Sequence, residues 1–181
     1  MPAAAAMANK QAIGIGCGVG AGDITSVIEF ALRSGTKLVL DADALNQMAR
    51  HRSLLGLLHE NVVLTPHAGE MARLLETTVD DVLSDPLGAV RAFPCTTLLK
   101  GATTLVHANG RTAFLSFGNP GLSKGGSGDV LTGLITALLA QGLNPFDAAR
   151  AGAYLLGTSA DRAMRMLGER ALLASDVIDM V

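Results

Sequence analysis

Tryptophan is absent, and aromatic residues make up only 3% of this 181-residue sequence. So few flat side chains leave no stacking platform for bases, and the lysines and arginines are scattered without a basic run, which disfavours a nucleic-acid partner. No apolar run is long enough to span a bilayer, so a membrane partner is not expected. The opening Met1-Pro2-Ala3-Ala4-Ala5-Ala6-Met7-Ala8 lacks the basic start and strongly apolar centre of a signal peptide, so the expected location is cytoplasmic. Cysteine is scarce: Cys17 and Cys95 stand far apart and are expected to be a reduced, buried pair, not a disulfide or metal site. Repeats, low-complexity tracts and linkers are also missing. What remains is 49% hydrophobic with a net charge of −2, enough for one compact domain over residues 1–181 with a substantial core.

Short apolar strands alternate with helical patterns. Ala12 to Ile15 reads as a strand that runs into the turn Gly16-Cys17-Gly18-Val19-Gly20. A helix follows, capped by Asp23, with Ile24, Val27, Ile28, Ala31 and Leu32 on its apolar face and Gly35 at its end. Lys37 to Leu40 and Val62 to Leu64 are further strands, separated by a helical region from about Ala44 to Leu58 that breaks near Arg52-Ser53. A helix through Met71, Leu74 and Leu75 comes next, then one over Val79 to Leu83 with Thr78 and Asp81 as capping pair, then one over Asp85 to Ala92. Thr96 to Leu99 is the fourth strand. Asn109-Gly110 between two β-forming runs, Thr104 to His107 and Arg111 to Leu115, predicts a hairpin. Asn144-Pro145 with Asp147 starts a long helix, and Ser175 or Asp176 caps a last short one. This alternation predicts an α/β fold, a mostly parallel sheet covered on both faces, with ligands bound beyond the carboxyl ends of the strands.

One stretch organises the rest: Gly118-Asn119-Pro120-Gly121-Leu122-Ser123-Lys124-Gly125-Gly126-Ser127-Gly128-Asp129. It leads straight into a helix in which Leu131, Leu134, Ile135, Leu138 and Leu139 form one stripe and Gly142 is the stop. A glycine-rich loop entering a helix is an anion cradle, because unpaired amides and the positive end of the helix dipole both favour phosphate. A carboxylate there is unusual. Asp129 is either the N-cap or a general base that takes a proton from an attacking hydroxyl. Around the cradle the strand ends deliver Gly16 to Gly20, Asp41 and Asp43, His67 and Glu70, and Lys100 to Thr104. Each has a plain structural alternative: Asp41 and Asp43 as caps, His67 bonded to a loop carbonyl, Glu70 favourable in a first helical turn, Lys100 a solvated strand end. Together with the cradle they suggest nucleotide-dependent phosphoryl transfer. The sequence carries neither Gly-x-x-x-x-Gly-Lys-Ser/Thr nor Gly-x-Gly-x-x-Gly.

Four motifs then carry a resemblance over nearly the whole chain: Leu40-Asp41-Ala42-Asp43-Ala44-Leu45-Asn46, Leu64-Thr65-Pro66-His67-Ala68-Gly69-Glu70, Leu99-Lys100-Gly101, and Gly118 to Gly121 through Gly125 to Gly133. In this order they resemble the ADP/ATP-dependent NAD(P)H-hydrate dehydratases of the ribokinase-like superfamily. The resemblance implies that the S form of hydrated NADH or NADPH is returned to the reduced cofactor while ADP or ATP is consumed with Mg²⁺. It implies that Asp129 is the base and, with Gly18 and His67, binds the hydrate. It places Lys100, Gly101, Ala102, Thr103 and Thr104, and Asn119, Gly125, Gly126, Ser127 and Gly128, at the nucleotide. Glu70 would organise Mg²⁺ and water indirectly, and a homo-oligomer is expected.

Three departures from the family pattern stand out. Members usually have Gly-Pro-Gly-Leu-Gly where Gly16-Cys17-Gly18-Val19-Gly20 stands, and small residues where Ser123-Lys124 stands, so Lys124 is expected to alter nucleotide contacts. The family's domain also begins well upstream, with strands and a glycine-serine loop that would precede Ala12, which predicts an amino-terminally truncated domain with an unpaired sheet edge. The alternatives are a ribokinase-like kinase for a thiamine-pathway alcohol, and a nucleotide-binding fragment without turnover.

Overall fold

The computed structural model describes residues 5, 7–168 and 170–181. Of the opening segment read for a signal, Met1 through Ala4 and Ala6 lie outside the described residues.

Six strands form one sheet in sequential order: β1 (Ala12–Ile15), β2 (Lys37–Leu40), β3 (Val62–Leu64), β4 (Thr96–Leu99), β5 (Thr104–Ala108) and β6 (Arg111–Leu115). β1 to β4 run parallel, and β5 and β6 add an antiparallel hairpin. Asn109 (φ 48°) and Gly110 (φ 74°) supply the two left-handed residues that a tight hairpin turn needs. The helices are α1 (Thr25–Arg33), α2 (Asp43–Arg50), α3 (Ala68–Leu75), α4 (Val79–Ser84), α5 (Pro86–Arg91), α6 (Ser127–Ala140), α7 (Pro145–Leu167) and α8 (Ala174–Ile178). Tighter 3₁₀ turns cover Arg52–Leu57 and Pro120–Ser123.

The central strands β2 and β3 have no exposed side because both faces are covered. Leu38, Val39, Leu40, Val62, Val63 and Leu64 are each 0% exposed. Their alternation sends Val39, Val63, Leu98 and Val106 into one core with Leu131, Ile135 and Leu139 of α6 and Ala148, Ala149 and Ala160 of α7. Leu38, Leu40, Val62 and Leu64 enter the other, against Ile28, Ala31 and Leu32 of α1 and Leu45 and Met48 of α2. Leu99 and Leu105 continue that second face under α3 to α5, with Met71, Val82 and Val90. Cutting one such leucine to alanine costs about 2–5 kcal/mol. Gly152 lets α7 lie flush on α6, since a Cβ there would stand 2.7 Å from Ile135.

Several local expectations hold and others shift. Thr78 and Asp81 form the capping box, and Asn144 caps α7 through the Asp147 amide. Asp23 accepts from the Thr25 amide at 2.9 Å but sits one residue before the cap position, which Ile24 holds. Neither Ser175 nor Asp176 caps α8: the helix starts earlier, at Ala174, so Asp176 reaches back to the Leu173 amide at 2.8 Å. The cysteines are not a buried pair. Cys95 is buried at the amino end of β4, whereas Cys17 is exposed beyond the carboxyl end of the parallel β1, on the opposite rim. Among the described residues β1 pairs only with β2, so its outer edge is open.

Candidate functional site

The carboxyl rim is tied together by a buried carboxylate. Asp41, directly after β2, is 1% exposed. Its Oδ1 accepts from the Ala42 amide at 2.8 Å and from Lys100 Nζ at 2.7 Å, and its Oδ2 accepts from the Thr132 hydroxyl at 3.0 Å. Glu70 Oε2 lies 3.7 Å from the same ammonium. Lys100 is therefore no solvated strand end, and Asp41 no cap: each fulfils the other's charge in a place where a lone charge would be costly. The Lys100 amide bonds Pro66 O at 2.8 Å, which brings the β4 end beside His67. Asp43 opens α2 and accepts from the Gly20 amide at 2.9 Å, anchoring the first glycine turn.

His67 is the N-cap of α3. Its Nδ1 accepts from the amides of Gly69 (3.0 Å) and Glu70 (3.3 Å), while Glu70 Oε2 accepts from the His67 amide (2.9 Å). The loop-carbonyl alternative fails, because Nδ1 is an acceptor; the ring proton sits on Nε2, 3.5 Å from Glu70 Oε1. Glu70 is 5% exposed and lies behind the imidazole.

Helix α6 begins earlier than its stripe suggests. Gly126, with φ 93°, turns the chain and takes the cap position, so Asp129 is not the N-cap. The first helical bond runs from Val130 N to Gly126 O, which leaves the amides of Ser127, Gly128 and Asp129 in the unpaired first turn. Gly128 sits close over the rim: a Cβ there would stand 3.3 Å from Asp41 Oδ2 and 3.5 Å from Lys100 Nζ. Asp129 is exposed. Cys17 is close to it: the residue is exposed, yet partial burial of its thiol, and next the Asp129 carboxylate, push the thiol up to about 11. The Gly16 to Gly20 turn thus flanks Asp129.

Beyond the cradle a cavity of about 660 Å³ is lined by His67, Lys100, Gly101, Ala102, Thr104, Asn119, Ser127 and Gly128, with Phe117, Leu122, Leu131 and Leu156 as its apolar part. Thr103, Gly125, Gly126, Gly18, Glu70 and Asp129 are not in this wall. Lys124 is in the wall, but its ammonium donates to Arg170 O and Leu172 O at 2.7 Å each. Two participants carried no sequence signal. Thr132 is a helical threonine among apolar neighbours, and Asp161 lies midway along α7, where its carboxylate accepts from Gly118 N (3.1 Å) and Asn119 Nδ2 (3.0 Å). Among the described residues no three His, Cys, Asp or Glu side chains gather into a metal cluster.

The family profile described as NAD(P)H-hydrate dehydratase matches residues 2–181. The chain is 43% identical over 175 residues to a bifunctional NAD(P)H-hydrate repair enzyme of Moorella thermoacetica, covering 94% of this chain and 33% of that protein. It is 41% identical over 178 residues to an ADP-dependent (S)-NAD(P)H-hydrate dehydratase of Neisseria meningitidis, covering 93% and 60%. On the ADP/ATP-dependent NAD(P)H-hydrate dehydratase of Bacillus subtilis, co-crystallized with ATP and Mg²⁺, it superposes with a TM-score of 0.79 at 26% identity, covering 94% of this chain and 62% of that one. It thus spans from a third to just over three fifths of these proteins' lengths. A doubly covered sheet of the ribokinase-like kind, a glycine cradle on its carboxyl rim and a profile match along the chain agree: it belongs to the NAD(P)H-hydrate dehydratase family.

Proposed function

We propose that this chain dehydrates the S form of NAD(P)H hydrate to NAD(P)H with consumption of ADP or ATP. One observation carries the reading: an exposed carboxylate, Asp129, stands in the first turn of α6 among unpaired amides, with the Gly16 to Gly20 turn on one flank and Lys100 with the cavity on the other. Asp129 takes the proton of the ring hydroxyl, whose oxygen attacks the terminal phosphoryl group. That P–O bond forms as the bond to the departing nucleotide breaks. The ring-nitrogen electron pair then breaks the ring C–O bond and expels inorganic phosphate, and loss of a proton from the neighbouring carbon to solvent restores the ring double bond. The amides of Ser127 and Gly128 and the positive end of α6 stabilise the charge on the transferring group. Gly18 and His67 would border the hydrate, and Lys100 to Thr104 with Asn119 to Gly128 the nucleotide.

The donor set suits a Mg²⁺ ion that arrives on the nucleotide, held mainly by phosphate oxygens and water, with Asp129 the exposed carboxylate nearby and buried Glu70 acting indirectly. Such an ion would neutralise phosphate charge. The proposal includes a homo-oligomer and, from the substrate class, a cytoplasmic setting.

The test follows the near-ultraviolet absorbance of the reduced nicotinamide ring while the full chain receives hydrated NADH, Mg²⁺ and ADP or ATP. A nucleotide-dependent rise is expected. Consumption of nucleotide with a thiazole or pyrimidine alcohol, and none with the hydrate, would replace this reading by a small-molecule kinase; binding without any turnover would replace it by a nucleotide-binding fragment.

A further inference from the structure

Residues 116–119 carry the chain from β6 to the 3₁₀ turn along one side of α7. They lie on it closely: a Cβ on Gly157 would stand 2.7 Å from the Phe117 side chain and 2.8 Å from its backbone. The Phe117 ring meets Tyr154 edge-on at 4.9 Å between centroids. Asp161, the third residue on this side, follows Tyr154 and Gly157 at the spacing of one helical face. Its half-buried carboxylate holds two consecutive residues, through Gly118 N at 3.1 Å and Asn119 Nδ2 at 3.0 Å. The other end of the Asn119 amide is engaged too, since its Oδ1 accepts from Gly121 N at 3.1 Å. The partners fix the amide's orientation, because a carboxylate only accepts and a backbone N–H only donates. Phe117, Gly118, Asn119 and Pro120 line the cavity, and Asp161 does not.

We propose that Asp161 is a positioning residue: through Asn119 and Gly118 it sets the path of the cavity wall, and Asn119 serves the nucleotide by this clamp instead of by touching it. The inference rests on the nucleotide half of the function proposed above.

The test exchanges the two groups. Asp161→Asn sets amide against amide, and Asn119→Asp sets carboxylate against carboxylate. Made together, they keep the net charge and all three hydrogen bonds: the amide now at 161 donates to the carboxylate at 119 and accepts from Gly118 N, while Gly121 N keeps its acceptor. ADP and ATP dissociation constants are measured by calorimetry on the full chain, with thermal unfolding recorded alongside. Each single change is expected to weaken binding by about 10- to 100-fold, the scale of losing a supporting partner. The exchange is expected to return it to within about threefold of the parent. An exchange that binds as poorly as Asn119→Asp alone would show that Asn119 touches the nucleotide and would overturn the clamp, as would single variants that bind like the parent. If a single variant does not fold, the exchange alone decides. A parent chain that binds nucleotide without dehydrating the hydrate refutes the reaction but leaves this test intact, whereas one that binds no nucleotide refutes both.

Discussion

Two glycine loops meet at Asp129, and they are built in opposite ways. The loop over residues 117–126 is fastened along its length: to α7 through Asp161, to the segment before α8 through the two carbonyls that Lys124 grips, and to the core through Leu172, which would lie 2.6 Å from a Cβ on Gly121. The turn over residues 16–20 is mostly open. Gly18 and Gly20 have left-handed φ values of 66° and 67° and nothing lies within 4 Å of a Cβ built on either, while the Gly20 amide bond to the Asp43 side chain and the Asp43 amide bond to Gly16 O at 3.3 Å tie the turn to α2. If the cavity holds the nucleotide as proposed, its wall is organised before that ligand arrives, which lowers the ordering cost of binding, and the turn beside Asp129 leaves free volume for the proposed hydrate.

This contrast separates binding from chemistry, and the largest expected effect tests the separation. Asp129→Asn keeps the fastened loop and the first-turn amides but removes the proposed base. Turnover of hydrated NADH is expected to fall by about 10² to 10⁴, with the ADP dissociation constant unchanged. Steady-state rates and calorimetry on the same preparation check both halves. Nucleotide affinity falling in step with turnover would mean that Asp129 belongs to the fastened side, and the division between the loops would fail.

A second prediction works inside the open turn, where Gly16 is the exception. A Cβ on Gly16 would overlap the Asp41 carbonyl oxygen and stand 2.9 Å from Ala44, at a φ of 122° that other residues rarely adopt. Gly16→Ala is expected to cost about 3 kcal/mol or more, as backbone strain and overpacking act together. Gly18→Ala meets empty space and is expected to cost about 1 kcal/mol for its left-handed conformation alone. Urea unfolding of the two variants measures the difference. Equal losses would show that the turn is held as firmly at Gly18 as at Gly16.

The same contrast explains what could be read from the sequence. The strand segments, the hairpin at Asn109-Gly110, the Thr78 and Asp81 cap and the rim position of Asp41, His67, Lys100 and the cradle follow from local rules of periodicity, turn chemistry and capping, and the structure keeps them. The start of α6 was misplaced because the apolar stripe begins at Leu131, whereas the turn is made by Gly126 in a left-handed conformation that the stripe does not report. The pairing of Asp41 with Lys100 and Thr132 spans 59 and 91 residues, and the hold of Asp161 on Asn119 spans 42. Such contacts depend on the assembled fold, and a lone aspartate within a long helix looks like any solvated residue. The cysteine pairing failed for a similar reason: scarcity suggests burial, but only strand direction puts Cys17 and Cys95 on opposite rims.

The smallest expected effect uses Cys17 as a reporter of the open side. Its thiol is held up to about 11, first by partial burial and then by the neighbouring Asp129 carboxylate. At pH 8 the thiol is therefore almost wholly protonated, and since the thiolate is the nucleophile, maleimide labelling should be slow and rise about tenfold per pH unit. Asp129→Asn removes a charge that disfavours the thiolate, so the folded-state value should fall toward that of an ordinary thiol. Labelling at pH 8 should then speed up by roughly tenfold for each unit the value falls. Cys95 is buried, with its thiol pushed up to about 12, and should stay silent in both proteins as the internal control. A labelling profile that Asp129→Asn leaves unchanged would separate the Gly16 to Gly20 turn from the proposed base. The hydrate would then have to reach Asp129 from the cavity side, past the fastened loop, and the division of labour between the two loops would not hold.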